Sequence, residues 1–210
     1  MPESGFVFCT FNAPIKYTPD FFAIGMRLLR QVPDSVLWLM EPDPKEAVTT
    51  VTANLRQAAQ GHGIDPGRLV FAPRTGLERH LARHRCADLF LDALPCNAHT
   101  TMSDALWTGL PAVTCLGATF AGRVGASLLC AIGLDELVTT SPGDYESLAL
   151  ALARDRLGGI RRRLAANRAT HPLFDTPRYA RDLEAAYERM LSMYRAGGPL
   201  QPIAIAEDRK

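Results

Sequence analysis

The segment Cys96-Asn97-Ala98-His99-Thr100-Thr101-Met102-Ser103-Asp104-Ala105-Leu106-Trp107 follows an apolar run, Asp88-Leu89-Phe90-Leu91-Asp92, and leads into an amphipathic stretch that closes at Gly109. A strand that delivers His-Thr-Thr to the first turn of a helix builds an anion site. The free N–H groups and the positive end of the helix dipole face outward there, and two hydroxyls and an imidazole add donors. Asp104, one turn further on, disfavours a phosphate but can accept hydrogen bonds from a ribose. The combination reads as a site for a nucleoside diphosphate. The plainer alternative is that Thr100 or Thr101 only caps the helix and His99 is a loop residue.

Two other segments carry residues of the same chemistry. Phe11-Asn12-Ala13-Pro14-Ile15-Lys16 follows another strand-like run, and a lysine just past a strand end can neutralise a phosphate as a compact point charge. A solvated loop lysine is its ordinary alternative. In Leu77-Glu78-Arg79-His80-Leu81-Ala82-Arg83-His84, His80 and Arg83 lie one turn apart on one helix face. That face can stack an aromatic base on the imidazole and hydrogen-bond it through the guanidinium. Otherwise it is a basic, solvated helix. His80 and His84 are four apart, as two metal ligands would be, but the glutamate of the zinc-helix motif and any nearby Cys pair are missing. No metal site is expected. No Gly-x-Gly-x-x-Gly follows a strand and no Gly-Lys-Ser/Thr loop appears, so the common dinucleotide and ATP fingerprints are absent. Neither Ser4-Gly5 nor Ser35 has the context of a nucleophile elbow.

The elements that must position these residues alternate along the chain. Strand candidates are Phe6–Phe11, Ser35–Met40, Arg68–Phe71, Asp88–Asp92 and Pro111–Cys115, with a short segment at Glu136–Val138. Between them lie helical patterns. One is capped by Thr18, with Pro19 in its first turn and Phe22, Met26 and Leu29 on one face, and ends at Pro33. Others run near Lys45 to Gly61, Leu77 to His84, and Phe120 to Ile132. Such alternation predicts an α/β fold with a parallel sheet covered on both faces. Ligands of such sheets sit at the carboxyl ends of the strands, so Thr10–Lys16, Ala72–His80 and the His-Thr-Thr turn should converge on one rim. The last third is helical, first from Asp144 to Arg168 and then from about Tyr179 to Arg195. Leu183, Ala186, Tyr187, Met190, Leu191 and Tyr194 recur there at helical spacing. Gly197-Gly198-Pro199 stops this helix. The stripe is too apolar for a free surface, so it should pack either on a second lobe or on its own.

At 210 residues, with 47% hydrophobic and 21% charged residues, the chain has material for one sizeable core. A net charge of +1 gives no reason to expect nucleic acid or a membrane surface as partner. The five cysteines are odd in number and widely spaced. Cys9, Cys115 and Cys130 sit in apolar runs and read as small buried hydrophobes in a reducing compartment. Met1–Gly5 shows no signal-peptide pattern and no apolar run spans a membrane, so a cytoplasmic protein is expected.

Several segments occur in a familiar order: Phe8-Cys9-Thr10-Phe11-Asn12, Val32–Leu39, Ala87–Asp92, Cys96–Thr101, Asp104–Pro111 and Arg123-Val124-Gly125-Ala126-Ser127. Through them the chain closely resembles the C-terminal catalytic lobe of the O-linked N-acetylglucosamine transferases, including bacterial SPINDLY-like members, to about Arg195. The resemblance implies one Rossmann-like lobe of a GT-B glycosyltransferase, with a parallel sheet and C-terminal helices. Residues 1–195 would form the UDP-sugar-binding lobe, helical from about 143, and 196–210 a mobile tail. It also implies UDP-N-acetylglucosamine as donor, and inverting, metal-independent transfer to Ser/Thr hydroxyls of an acceptor protein, with no cofactor. His99, Thr100 and Thr101 would hold the diphosphate and Lys16 would stabilise the leaving UDP. Asp104 would meet the ribose, and His80 with Arg83 the uracil, helped by backbone around Arg74 and Thr75. Two departures stand out: Ala13 replaces a frequent glutamine and Leu77 a lysine near the ribose, which puts affinity and sugar choice in question. The N-terminal lobe and the tetratricopeptide repeats of the family are not in this sequence, and would be partners in cis or in trans. The chain would then be half of an enzyme, a stand-alone UDP-sugar binder, or an inactive fragment.

Overall fold

The structure, a computed structural model, describes residues 4–199 and 201–205. Six parallel strands form the sheet: β1 (Val7–Thr10), β2 (Val36–Met40), β3 (Leu69–Ala72), β4 (Leu89–Leu91), β5 (Ala112–Cys115) and β6 (Val138–Thr139). Their order is β3-β2-β1-β4-β5-β6. This is the doubly wound Rossmann order, and it reverses direction between β1 and β4. Every residue of β1, β2, β4 and β5 is buried, as expected of a parallel sheet covered on both faces. The outer strand β3 leaves Val70 and Phe71 half-buried.

The helices are α1 (Pro19–Gln31), α2 (Val48–Gly61), α3 (Leu77–Arg83), α4 (Thr100–Trp107), α5 (Val124–Ala131), α6 (Pro142–Ala151), α7 (Leu157–Asn167) and α8 (Thr176–Ala196). In α1, Thr18 accepts a hydrogen bond from the Phe21 amide and Pro19 occupies the first turn. Its Phe22, Met26 and Leu29 are buried against the sheet, and Phe8 and Phe90 lie fully buried in the same core. Each such side chain contributes about 1.5–3 kcal/mol of burial.

Four sequence expectations need correction. The helix expected from Phe120 opens with a single 3-10 turn, Phe120–Gly122, and becomes α-helical only at Val124, because Thr119 caps the tighter turn by accepting from the Gly122 amide. The long helical pattern near 144–168 is two helices separated by a π-turn at Leu152–Arg156. Cys130 is exposed, on the outer side of the last turn of α5, whereas Cys9 and Cys115 are buried. Fourth, neither Thr100 nor Thr101 caps α4; the capping position belongs to His99.

Helix α6 is built into the sheet: Tyr145 and Ala149 are completely buried. Helix α8 is not, and it buries none of its residues. Asp175 caps its start, and Gly197, left-handed at φ 65°, ends it. Tyr187 is 59% exposed, Met190 53% and Tyr194 81%, so the apolar stripe does not pack on its own lobe. The expected tail, 196–210, lies partly outside the described residues; its described portion after Ala196 has no regular secondary structure. Met1, Pro2 and Glu3 also lie outside them. Among the described residues, no helix is long and apolar enough to cross a membrane.

Candidate functional site

The segments after β1 and β4 flank the point where the strand order reverses, the place where open α/β sheets bind ligands. After β1 the chain makes one 3-10 turn, Pro14–Lys16, closed by the Lys16 amide donating to the Ala13 carbonyl at 2.9 Å. That turn carries Lys16 across to the other segment, where Nζ donates to the Asn97 carbonyl at 2.7 Å. Lys16 and the His99 turn therefore lie on the same side, as the sequence predicted. The Tyr17 hydroxyl donates to the Asn12 carbonyl at 2.7 Å, and Thr18 Oγ1 donates to the Leu94 carbonyl at 3.1 Å, so both strand exits are tied together.

His99 begins α4 without any side-chain cap. The first-turn N–H groups are thus left open for an anion rather than satisfied by a serine or threonine oxygen. The His99 ring is exposed and meets Phe120 edge-on, centroids 6.1 Å apart. Thr100 is exposed, while Thr101 faces a cleft of about 470 Å³ lined also by Phe11, Ala13, Met40, Thr75, Leu77 and His80.

On the far wall of this cleft, burial, and then the Arg83 charge, lower the proton affinity of His80, while Asp104 pulls it back up. The imidazole is therefore neutral at pH 7, a state suited to stacking. Asp104 is in turn raised by burial and lowered by His80, which places the two side chains within electrostatic reach across α3 and α4. Arg83 Nη2 donates to Thr75 Oγ1 at 2.6 Å and to the Pro73 carbonyl at 2.9 Å, and the guanidinium stands 5.9 Å from the Phe11 ring centre. Its Nη1 is enclosed, with no acceptor among the described residues. His84 is buried, with Nδ1 donating to the His80 carbonyl at 2.9 Å, and burial pushes its pKa down to about 4. The i,i+4 histidine pair is a packing arrangement, its rings edge-on at 4.8 Å.

The structure thus gathers Thr75, His80 and Thr101 around one cleft, with Arg83 and Asp104 coupled to its walls and Lys16 and His99 at its neighbouring edge. Thr100 is exposed and is not part of the lining. Sequence reasoning missed the groups that fix this arrangement. Asp92, wholly buried at the end of β4, accepts from the Ala98 amide through Oδ1 and from Thr114 Oγ1 through Oδ2, both at 2.6 Å. Burial pushes its carboxyl up to about 7, against the opposing pull of these two donors, the Ala93 amide and the Lys16 charge. Asn97, also buried, accepts from the Gly125 amide at 3.2 Å and donates to the Ala93 carbonyl at 3.3 Å. The available signal was polar residues bracketing an apolar strand, one of them an aspartate at the strand's carboxyl end.

Strand order and the open helix start at its reversal point define a Rossmann-like α/β lobe. The chain belongs to glycosyl transferase family 41, whose sequence pattern matches residues 1–183. It is 35% identical over 206 residues to a UDP-N-acetylglucosamine–peptide N-acetylglucosaminyltransferase of Caenorhabditis elegans, covering 97% of this chain and 17% of that protein. It is 34% identical to the probable enzyme of that name, SEC, of Arabidopsis thaliana, over 99% of this chain and 21% of the relative. The solved structure of a mutant Thermobaculum terrenum O-GlcNAc transferase superposes with a TM-score of 0.82 at 32% identity, over 89% of this chain and 36% of that one. The chain spans about a fifth of the length of the two curated relatives.

Proposed function

We propose that this chain is the UDP-N-acetylglucosamine-binding half of an inverting, metal-independent glycosyltransferase that modifies Ser/Thr hydroxyls of proteins in the cytoplasm. The observation that carries this reading is the bridge from Lys16 to the Asn97 carbonyl, which sets an ammonium beside an uncapped helix start at the sheet's reversal point. As the glycosidic bond breaks, negative charge grows on the departing diphosphate. Lys16 and the N–H groups of the His99–Thr101 turn meet it without reorganisation, the arrangement that stabilises a transition state most. Neutral His80 stacks the uracil, Arg83 holds Thr75 beside it, and Asp104 accepts from the ribose. Residues 1–195 act as the sugar-nucleotide lobe. The exposed stripe of α8 supports an opposing lobe, which would orient the acceptor hydroxyl; such positioning contributes roughly 7–11 kcal/mol.

Calorimetry with UDP, together with a glycosyl-transfer assay with and without an added N-terminal lobe, tests the reading. UDP binding, with transfer only when the second lobe is present, supports it. Transfer by this chain alone overturns the half-enzyme assignment. Binding without transfer under either condition selects a UDP-sugar-binding module, and no binding at millimolar UDP overturns the proposal.

A further inference from the structure

We propose that Asp92 is the proton acceptor of the anion site, taking up a proton from solvent as a nucleoside diphosphate seats against the start of α4. This rests on the UDP-binding reading above. Asp92 is fully buried and has neutral donors on both oxygens, the Ala98 amide and the Thr114 hydroxyl, with no cation bonded to it among the described residues. The groups facing it from the packed elements are Lys16 from the turn after β1, Thr114 from β5, Gly125 from α5 and Tyr145 from α6. The Tyr145 hydroxyl donates to the Asp92 carbonyl at 3.0 Å and is held neutral by burial. Lys16 is the one cationic side chain of the four. Its field adds, after the hydrogen bonds from Ala98, Thr114 and the Ala93 amide, to what favours the Asp92 carboxylate, and its ammonium rests on Asn97 rather than on Asp92.

A diphosphate at the His99–Thr101 turn changes this balance twice. It brings negative charge close to a buried carboxylate, and it claims the Lys16 charge that partly compensated that carboxylate. Both effects raise the proton affinity of a group already near neutrality. Protonation reverses one hydrogen bond and keeps the other. The new Oδ2–H donates to Thr114 Oγ1, whose own hydrogen rotates away, while the Ala98 N–H stays on Oδ1. The proton neutralises one charge in a place where two like charges would otherwise share a low-dielectric pocket.

The test is calorimetric titration of UDP into the full chain near pH 7.5, in buffers of different ionisation enthalpy, for the wild type and Asp92→Asn. The asparagine copies the protonated carboxyl, donating to Thr114 and accepting from Ala98. On binding UDP, the wild type is expected to take up more protons than Asp92→Asn, by roughly half a proton or more. Its UDP affinity should also rise on acidification, by up to about tenfold per pH unit when compared with Asp92→Asn. Equal uptake in the two proteins overturns the proposal while leaving UDP binding standing. Absence of UDP binding to the wild type overturns the function reading and this proposal with it. Should Asp92→Asn not fold, infrared difference spectra of ¹³C-aspartate-labelled wild type decide: the carbonyl band of a protonated, buried aspartate must grow when UDP is added, and its absence overturns the proposal.

Discussion

A single methyl group on Gly125 probes whether the buried polar knot beneath the site matters. A Cβ at this position would stand 2.4 Å from Asp92 Oδ2 and 2.6 Å from Thr114 Oγ1, distances that no real contact sustains. The carboxyl must turn away from its two donors, or α5 must withdraw and give up the Gly125 amide bond to Asn97 Oδ1. Turning away leaves two enclosed donors unsatisfied, at about 1–3 kcal/mol each, and the overpacking adds about 1–3 kcal/mol. Gly125→Ala should therefore cost about 3–9 kcal/mol, a large share of the roughly 5–15 kcal/mol that holds a domain together. Urea unfolding followed by tryptophan fluorescence measures it. A double-mutant cycle locates the cause: in an Asp92→Ala background the same methyl should cost at least about 1 kcal/mol less. A Gly125→Ala protein within about 0.5 kcal/mol of wild type would refute the steric argument, and strict additivity with Asp92→Ala would show that the carboxylate is not what the methyl strikes.

The remaining expectations concern binding, pH and the outer helix. His99→Ala, Thr101→Val and Lys16→Met should each weaken UDP binding by about 1–3 kcal/mol in calorimetry, the range for losing a hydrogen bond to a charged group; unchanged affinity in all three would move the anion site elsewhere. Asp92, at about 7, keeps a proton that the unfolded chain releases above the ordinary aspartate value, so its contribution falls as pH rises from about 4 to 7. His84, at about 4, refuses a proton that the unfolded chain accepts below 6.5, so its contribution is lost as pH falls from 6.5 to 4. The two slopes oppose, and Asp92→Asn should uncover a steeper acid loss in thermal melts between pH 6.5 and 4; melts that track wild type at every pH would contradict the buried-carboxyl assignment. Tyr187→Glu and Met190→Glu on α8 should shift stability by less than about 0.5 kcal/mol, and a loss above about 1 kcal/mol would mean that the helix packs on this lobe after all.

Local pattern made the scaffold legible. The strands announced themselves as short β-branched and aromatic runs and landed within two residues of their observed bounds, because central parallel strands tolerate little that is polar. Thr18-Pro19 announced α1 for an equally local reason, since cap and first turn are adjacent in the chain. Lys16, His80, Arg83, Thr101 and Asp104 could be placed on one rim because they follow strand ends, and the rim is a property of topology. What stayed hidden depends on partners far along the sequence. Asp92 reads as a strand terminus until Thr114, 22 positions later, is seen to donate to it. The exposure of Cys130 turns on which side of a short, nearly uniformly apolar helix faces out, which periodicity does not decide there. The missing cap of α4 was obscured by two threonines that look like caps and stand one and two residues past the place where a cap acts.

The strand order also dictates when the site can come into existence. Strands β1, β2 and β3 pair with sequence neighbours and are all present once the chain has reached Ala72. The other edge of β1 waits for β4, through Phe8 opposite Leu89, and the Lys16 bridge spans 81 positions to Asn97. Closing so long a loop is slow compared with local pairing, so the sheet assembles from one side and the ligand point is its seam. Until the seam closes, β1 offers an unpaired apolar edge to any other chain. A polypeptide stopped short of β4 would thus have half a sheet, a wall for a base and nowhere to put a phosphate.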